Sequence, residues 1–335
     1  MSFNKRVLEI DPAAETNRIV AALKNTVQKR MHRYGGVVGI SGGVDSAVVL
    51  ALALRAFGPQ KTVALMLPET DSDPESEAIA RRFARSSGLT PVLENITPAL
   101  DGFGCYARRD EAIRRVFPEY DTAAGYKAKI VLPKSLLEED TVNVFSLTIV
   151  APDGAEKTKP LFPRDFLQIV AASNFKQRTR MAMLYYHAEV NHYAVIGTAN
   201  KNEHDQGFFV KHGDAGVDVM PIGHLYKTQV YQLAEYLGVP EEIRKRVPAW
   251  DTYSAAASQE EFFFHMPFET MDLLWFAQEH GYPAREVAAV MGLTEGQVRR
   301  AYNDFIRKQR TTAYLRMSPV AFDTTPEGAV RAEAS

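Results

Sequence analysis

Residues Val37–Gly58 read VVGISGGVDSAVVLALALRAFG: a β-branched run, two adjacent glycines, then an apolar stretch of helical length. A buried strand that turns straight into a helix needs residues able to take positive φ and to leave the backbone bare, and Gly42 and Gly43 meet both needs. Such a turn places the amides of the loop and of the first helical turn at the positive end of a helix dipole, which is a cradle for phosphate. Ser41 and Ser46 add hydroxyl donors. Asp45 would repel phosphate unless a cation stood between them, so an acid inside an anion cradle points to a nucleotide carried with Mg2+. The lysine of the G-x-x-x-x-G-K-[ST] loop is absent. A turn with a purely structural task is the alternative.

The flanking sequence extends this unit into a wound sheet. Asp11-Pro12 predicts a helix start with Asp as N-cap and Pro at the first position, followed by Val20, Leu23, Val27 and Met31 at helical spacing. Strands are expected at Val37–Ile40, Thr62–Leu67, Val92–Ile96 and Tyr193–Thr198. Helices are expected from Ser46 to Phe57, Glu75 to Ser87, Arg178 to Val190 and Tyr226 to Leu237. Strands alternating with helices of this length build right-handed βαβ units and a parallel sheet, a Rossmann-like doubly wound α/β class. A run from about residue 125 to 163 breaks the rhythm with a β-rich segment, Pro152-Asp153-Gly154 and a charged return, which predicts a β-hairpin insertion. Short amphipathic helices follow near the C-terminus (about 268–310). The expectation is one domain over residues 1–320, with 321–335 as a loose tail.

The chain has 335 residues, 46% hydrophobic and 24% charged, enough for one large α/β core. With 39 basic against 41 acidic residues the net charge is -2, which offers no global field for nucleic acid or an anionic membrane. The one cysteine, Cys105, excludes an internal disulfide framework and a multi-cysteine zinc site, and is read as a packed residue rather than a nucleophile. No signal-like segment and no run of roughly 18 apolar residues stands out, so a cytoplasmic protein without membrane or nucleic-acid partners is expected.

SGGVDS resembles the signature of the ATP pyrophosphatases, which split ATP into AMP and pyrophosphate. Within that group, SNFKQRTRM (Ser173–Met181) and the long run from Val195 to Pro240, VIGTANKNEHDQGFFVKHGDAGVDVMPIGHLYKTQVYQLAEYLGVP, resemble NAD synthetase. The resemblance implies an adenine-nucleotide α-hydrolase-like fold and an ammonia-dependent reaction. ATP would activate the carboxylate of deamido-NAD as an acyl adenylate, and ammonia would displace AMP to leave NAD.

Carried over by position, Gly39, Ser41, Gly42, Gly43, Val44, Asp45, Ser46, Thr198 and Lys227 are expected at ATP. Asp45 and Glu203 would hold Mg2+. Asn174, Arg178, Lys211, Asp214 and Asp218 would meet deamido-NAD, with Lys211 and Asp214 beside Asp45 at the reacting end. Arg180 could equally be structural; a solvated loop acid and a solvent-facing helix lysine are the plain alternatives for Glu203 and Lys227. A homodimer is implied, and ammonia is expected from solution or from a separate amidase partner. Ala215, Ala249, the Phe262–Phe264 run and the insertion depart from the family pattern, which leaves room for an amide ligase acting on another carboxylate. A remote alternative takes the helices around Gly292 as a nucleic-acid-binding pair.

Overall fold

In the computed structural model, which describes residues 2–131, 145–246, 255 and 266–322, four parallel strands form the centre. They are β1 (Gly36–Gly39), β2 (Thr62–Met66), β3 (Val92–Leu93) and, after an intervening sheet of three strands, β7 (Ala194–Ile196), in the order β3-β2-β1-β7. Successive side chains of a strand point to opposite faces, and the burial follows suit. Val38, Ala64, Met66, Ala194 and Ile196 enter one core with α1 (Pro12–Leu23), α2 (Val44–Phe57), α3 (Pro74–Ser86) and α8 (Lys227–Tyr236). Val37, Leu65 and Val195 enter another, beneath α4 (Thr97–Gly102), α5 (Cys105–Val116) and α6 (Pro163–Asn191). The sheet is therefore covered on both faces, as its near-continuous apolar strands require.

The chain order reverses direction between β1 and β7, and ligands of open α/β sheets sit outside the carboxyl ends of the strands at that switch point. The glycine turn lies there. Gly42 takes φ +81, and a Cβ on it would stand 2.5 Å from the Ser76 carbonyl oxygen. Gly43 corrects the sequence reading: its φ is -90, so it serves as an extended helix N-cap and not as a second left-handed residue. The helix begins at Val44, two residues before the expected start.

The expected hairpin is part of a three-stranded antiparallel sheet, β4 (Lys127–Val131), β5 (Ser146–Val150) and β6 (Glu156–Pro160), with Pro152-Asp153-Gly154 in the β5–β6 turn. It does not stand apart. Ala128, Ile130, Leu147 and Ile149 share a third core with α10 (Phe268–Glu279), α11 (Ala284–Met291) and α12 (Glu295–Thr311), around the fully buried Trp275. The α11–α12 pair thus spends its apolar face inside the protein, while Arg299 pairs with Glu295 and Arg307 with Asp304.

The helix expected from Arg178 runs instead from Pro163, because the proline sits at its first turn, where a missing N–H costs nothing. The short helices α7 (Lys201–Gln206), α9 (Glu241–Arg244) and α13 (Ala313–Arg316) complete the set. Cys105 is buried as expected: its thiol donates to the Ala172 carbonyl, and burial pushes it up to about 11. No helix among the described residues is long and apolar enough to cross a membrane. Ala249, Phe262–Phe264 and the tail from residue 323 lie outside the described residues.

Candidate active site

The carboxyl ends of β1, β2 and β7 open onto a cavity of 270 Å³. Gly39, Ser41, Gly43, Asp45, Ser46, Thr198, Glu203 and Asp214 all line it, so most of the sequence-derived nucleotide residues are brought together. Helix α2 starts there without a side-chain cap, leaving its first-turn amides to whatever binds. Inside the turn, Ser46 Oγ donates to the Gly43 carbonyl at 2.9 Å and accepts from Ser41 N at 3.2 Å, fixing the loop from below.

Lys227, expected at phosphate, is fully buried and ion-paired with Asp45. Asn200 Nδ2 donates to the other Asp45 oxygen at 3.0 Å. Asn200 also forms a capping box with Glu203: the Glu203 amide donates to Asn200 Oδ1 at 3.1 Å, and Glu203 Oε2 accepts from Asn200 N at 3.2 Å. Burial first, and Asp45 second, push the Glu203 carboxyl up to about 8. Burial alone would lower Lys227, but Asp45 and Glu203 outweigh it and hold the ammonium above its ordinary range. Two carboxylates close enough that one raises the other toward its protonated form are what a hard cation relieves. Asp45 and Glu203 fit a cation that completes its shell with substrate oxygens; no group of three or more His, Cys, Asp or Glu that could hold a metal is present among the described residues.

Asp214 also lines the cavity, where burial raises it to about 6 and one oxygen accepts from Val210 N at 2.7 Å. Asp218 accepts from Val195 N at 2.8 Å and from the Tyr185 hydroxyl at 3.0 Å, tying its loop to β7. Lys211 turns from the cavity: its Nζ donates to the carbonyls of Tyr314 and Met317, each at 2.8 Å. Arg178 is exposed on α6 and donates to the Lys211 carbonyl at 3.3 Å, with Asn174 one turn before it on the same helix. On the cavity side the same helix presents Gln177, Arg180, Met181 and Leu184.

Sequence reasoning missed Asn200 and the acids Asp73 and Glu77 in the wall. It also missed Asp272, a fully buried acid of α10 raised to about 6 by burial. Asp272 accepts from Asn202 and, at 2.8 Å, from Thr228 N, and Asn202 in turn accepts from Lys227 N at 3.1 Å. The α10 side thereby holds the first turns of α7 and α8, which carry Glu203 and Lys227. Lys176, also fully buried, bridges Glu69 and Asp71 at 2.9 and 2.6 Å and so fixes the loop after β2.

This arrangement has relatives. An NH3-dependent NAD synthetase from Campylobacter jejuni, solved with nitrate, matches with a TM-score of 0.60 at 22% identity, over 94% of this chain and 100% of that one. An NMN synthetase from Francisella tularensis matches at 0.59 and 21%, over 94% and 100%. At such identities the likeness concerns the fold. In sequence, an NH3-dependent NAD+ synthetase of Mesorhizobium japonicum is 50% identical over 314 residues, 94% of this chain and 98% of its own. That of Rhizobium meliloti is 47% identical over 317 residues, covering 95% and 94%. The NAD synthase family model matches residues 15–117 and 126–314, a span that takes in the glycine turn, the carboxylate pair and the buried lysine beneath them, and the chain belongs to the NAD synthase family.

Proposed function

We propose that this protein makes NAD from deamido-NAD, ATP and ammonia, releasing AMP and pyrophosphate. The observation that carries the reading is one cavity at the β1–β7 switch point where a bare-backbone turn meets the Asp45–Glu203 pair, in a chain half identical to an NH3-dependent NAD+ synthetase.

In the first step a carboxylate oxygen of deamido-NAD bonds to the α-phosphorus of ATP, and the bond to the bridging oxygen breaks to free pyrophosphate. In the second, ammonia nitrogen bonds to the acyl carbon, AMP leaves with the acyl–oxygen electron pair, and the nitrogen loses a proton. The glycine turn, Ser41 and the first-turn amides of α2 hold phosphate oxygens in line for the attack. Thr198, at the end of β7, hydrogen-bonds the nucleotide. Asp45 and Glu203 would hold Mg2+, which when bound offsets charge on the phosphates. Lys227 keeps Asp45 aimed and neutralised from below. Asp214, poised near 6, accepts the proton that the attacking nitrogen loses.

Asn174, Arg178 and Lys211 lie outside the cavity wall, on the α6 surface and the neighbouring loop. A homodimer gives them a role, with deamido-NAD reaching them across the interface. Leu167, Tyr186 and Val190 expose apolar surface along α6 as an isologous contact would require. The reading includes a cytoplasmic enzyme. Incubation with ATP, Mg2+ and ammonium, with and without deamido-NAD, tests it: AMP and NAD should appear together, and ADP in place of AMP would refute it.

A further inference from the structure

Among the described residues, the cavity wall carries five carboxylates, Asp45, Asp73, Glu77, Glu203 and Asp214, against one cation, Arg180. Lys227 is spent on Asp45 in the floor. A triphosphate brings further negative charge into this wall, and the turn has no lysine of its own. Any further cationic side chain beside the turn would come from elsewhere in the chain.

Arg246 stands beside the turn. It follows α9, far in sequence from the turn, yet a Cβ placed on Gly42 would come within 3.4 Å of its Nη1. That is van der Waals distance, so the guanidinium lies directly against the turn, while the bare backbone at Gly42 is demanded by the Ser76 carbonyl. Its other fork tip, Nη2, donates to Asp73 Oδ2. Asp73 lines the cavity and caps α3 through Glu75 N at 3.0 Å. One arginine thus spans the phosphate turn and a cavity acid, with its side chain 23% exposed, neither locked in the core nor free in solvent.

Resting on the ATP reading above, we propose that Arg246 is a phosphate-binding residue of this site. Its guanidinium exchanges Asp73 for the outer phosphates of ATP and then holds the departing pyrophosphate. It supplies beside Gly42 the fixed positive charge that a P-loop takes from its lysine. The planar fork matches phosphate oxygens two at a time, which a carboxylate oxygen on one tip does not exhaust. Charge that builds on the leaving group strengthens the contact as the α–β bond breaks. The rival is a structural tie between α9 and α3, a role that the Arg82–Glu242 pair already fills at 2.8 Å.

Steady-state kinetics on Arg246→Ala, Arg246→Lys and Asp73→Asn, with pyrophosphate as product inhibitor, separate the two. Loss of a charge-assisted contact should raise the ATP KM of R246A by about tenfold to a hundredfold and weaken pyrophosphate inhibition by a similar factor. The KM for deamido-NAD should stay within about twofold, and R246K should recover part of the loss. D73N keeps a capping oxygen but removes the competing charge, so its ATP KM should fall. If R246A and D73N lose thermal stability alike while pyrophosphate inhibition stays at the wild-type level, the pair is a structural tie and the proposal is overturned. If the wild-type protein releases no AMP and pyrophosphate from ATP, the amidation reading fails and takes this proposal with it. If wild type releases both and R246A matches it with pyrophosphate, the Arg246 assignment alone fails.

Discussion

Around Asp45 the chain buries charges that hold one another, Asp45 on Lys227 and Asn200, with Glu203 beside them. Around Trp275 it buries hydrocarbon from segments as distant as Ile130, Leu147 and Phe305. The first region is specified by pairs, so its cost of damage falls on whichever partner is left alone in low dielectric. The second is specified by volume, so damage costs what an unfilled space costs. The two meet at Asp272, which belongs to α10 of the hydrocarbon region and accepts hydrogen bonds from Thr228 and Asn202 of the charged one. Phe208, which lines the cavity and packs in the same core, and Tyr226, which packs on Trp275 one residue before Lys227, join them too, so ligand chemistry and fold stability can be moved separately only away from these joints.

The largest effect is expected from Asp45→Ala. It removes an oxygen ligand from the cation site, so AMP formation should fall to background. It also strands the buried Lys227, and breaking a buried pair from one side costs about 3–5 kcal/mol. Asp45→Asn should also stop turnover at a smaller stability cost. An active D45A would break the comparison at its centre. Next comes Trp275→Ala, expected to cost about 3–5 kcal/mol in denaturant unfolding, with the ATP KM changed by less than about twofold when assayed well below the melting temperature. A large rise in that KM would show that the damage passes through Tyr226 or Asp272 to Lys227 and that the regions are one unit.

The charged region should also answer to pH. Glu203 stands near 8 when folded against 4.5 as a free side chain, so the ligand-free protein binds an extra proton between those values. Its stability contribution is therefore fully present below the unfolded value and is lost as pH rises through the folded one. Cation binding needs the carboxylate. Binding of Mg2+ and ATP at pH 7 should release most of the Glu203 proton, and the release should fall as pH rises through about 8. Calorimetry in buffers of different ionisation enthalpy reads this directly. Release that is the same at pH 7 and pH 9 would show that Glu203 is already ionised in the empty site. Asp214 should set a second, acid limb, with turnover falling below about 6 as its carboxylate takes a proton.

How much of this was legible depends on how far apart the partners lie. The turn is local: strand, two glycines, acid and helix fall within one short run, and each imposes its geometry on the next. The parallel sheet follows from strands and helices that alternate with clear period. The Asp45–Lys227 and Gly42–Arg246 contacts join residues that no periodicity relates, and a family pattern can place a lysine near phosphate without revealing that it lies buried beneath an aspartate. The third core was illegible for another reason. Its strands read as a β-hairpin insertion with no stated packing, and β6, exposed throughout, adds no buried pattern to those of β4 and β5. What covers those strands arrives only with α10 to α12. Removal of residues 142–159, which on sequence grounds should disturb the acceptor more than ATP, would take Leu147 and Ile149 out of that core.

The smallest expected effect probes whether the insertion sheet reaches the active site at all. Thr148 of β5 is buried, and its hydroxyl pairs with that of Thr158 on β6 at 2.7 Å, the two residues being direct cross-strand partners. Thr158→Val keeps shape and β-propensity but leaves the Thr148 hydroxyl without its partner, at a cost of about 1 kcal/mol. Valine at both positions replaces a hydrogen-bonded pair by a β-branched apolar pair of the same outline, and should recover most of that loss. Because neither position touches the Asp272 joint, the KM values for ATP and deamido-NAD should match wild type in Thr158→Val, Thr148→Val and the double variant. A double-mutant cycle in urea, with kinetics on the same samples, gives both readings. If deamido-NAD KM shifts with the single change and returns with the double, β5–β6 order is felt at the acceptor, and the insertion belongs functionally to the cavity rather than to the core around Trp275.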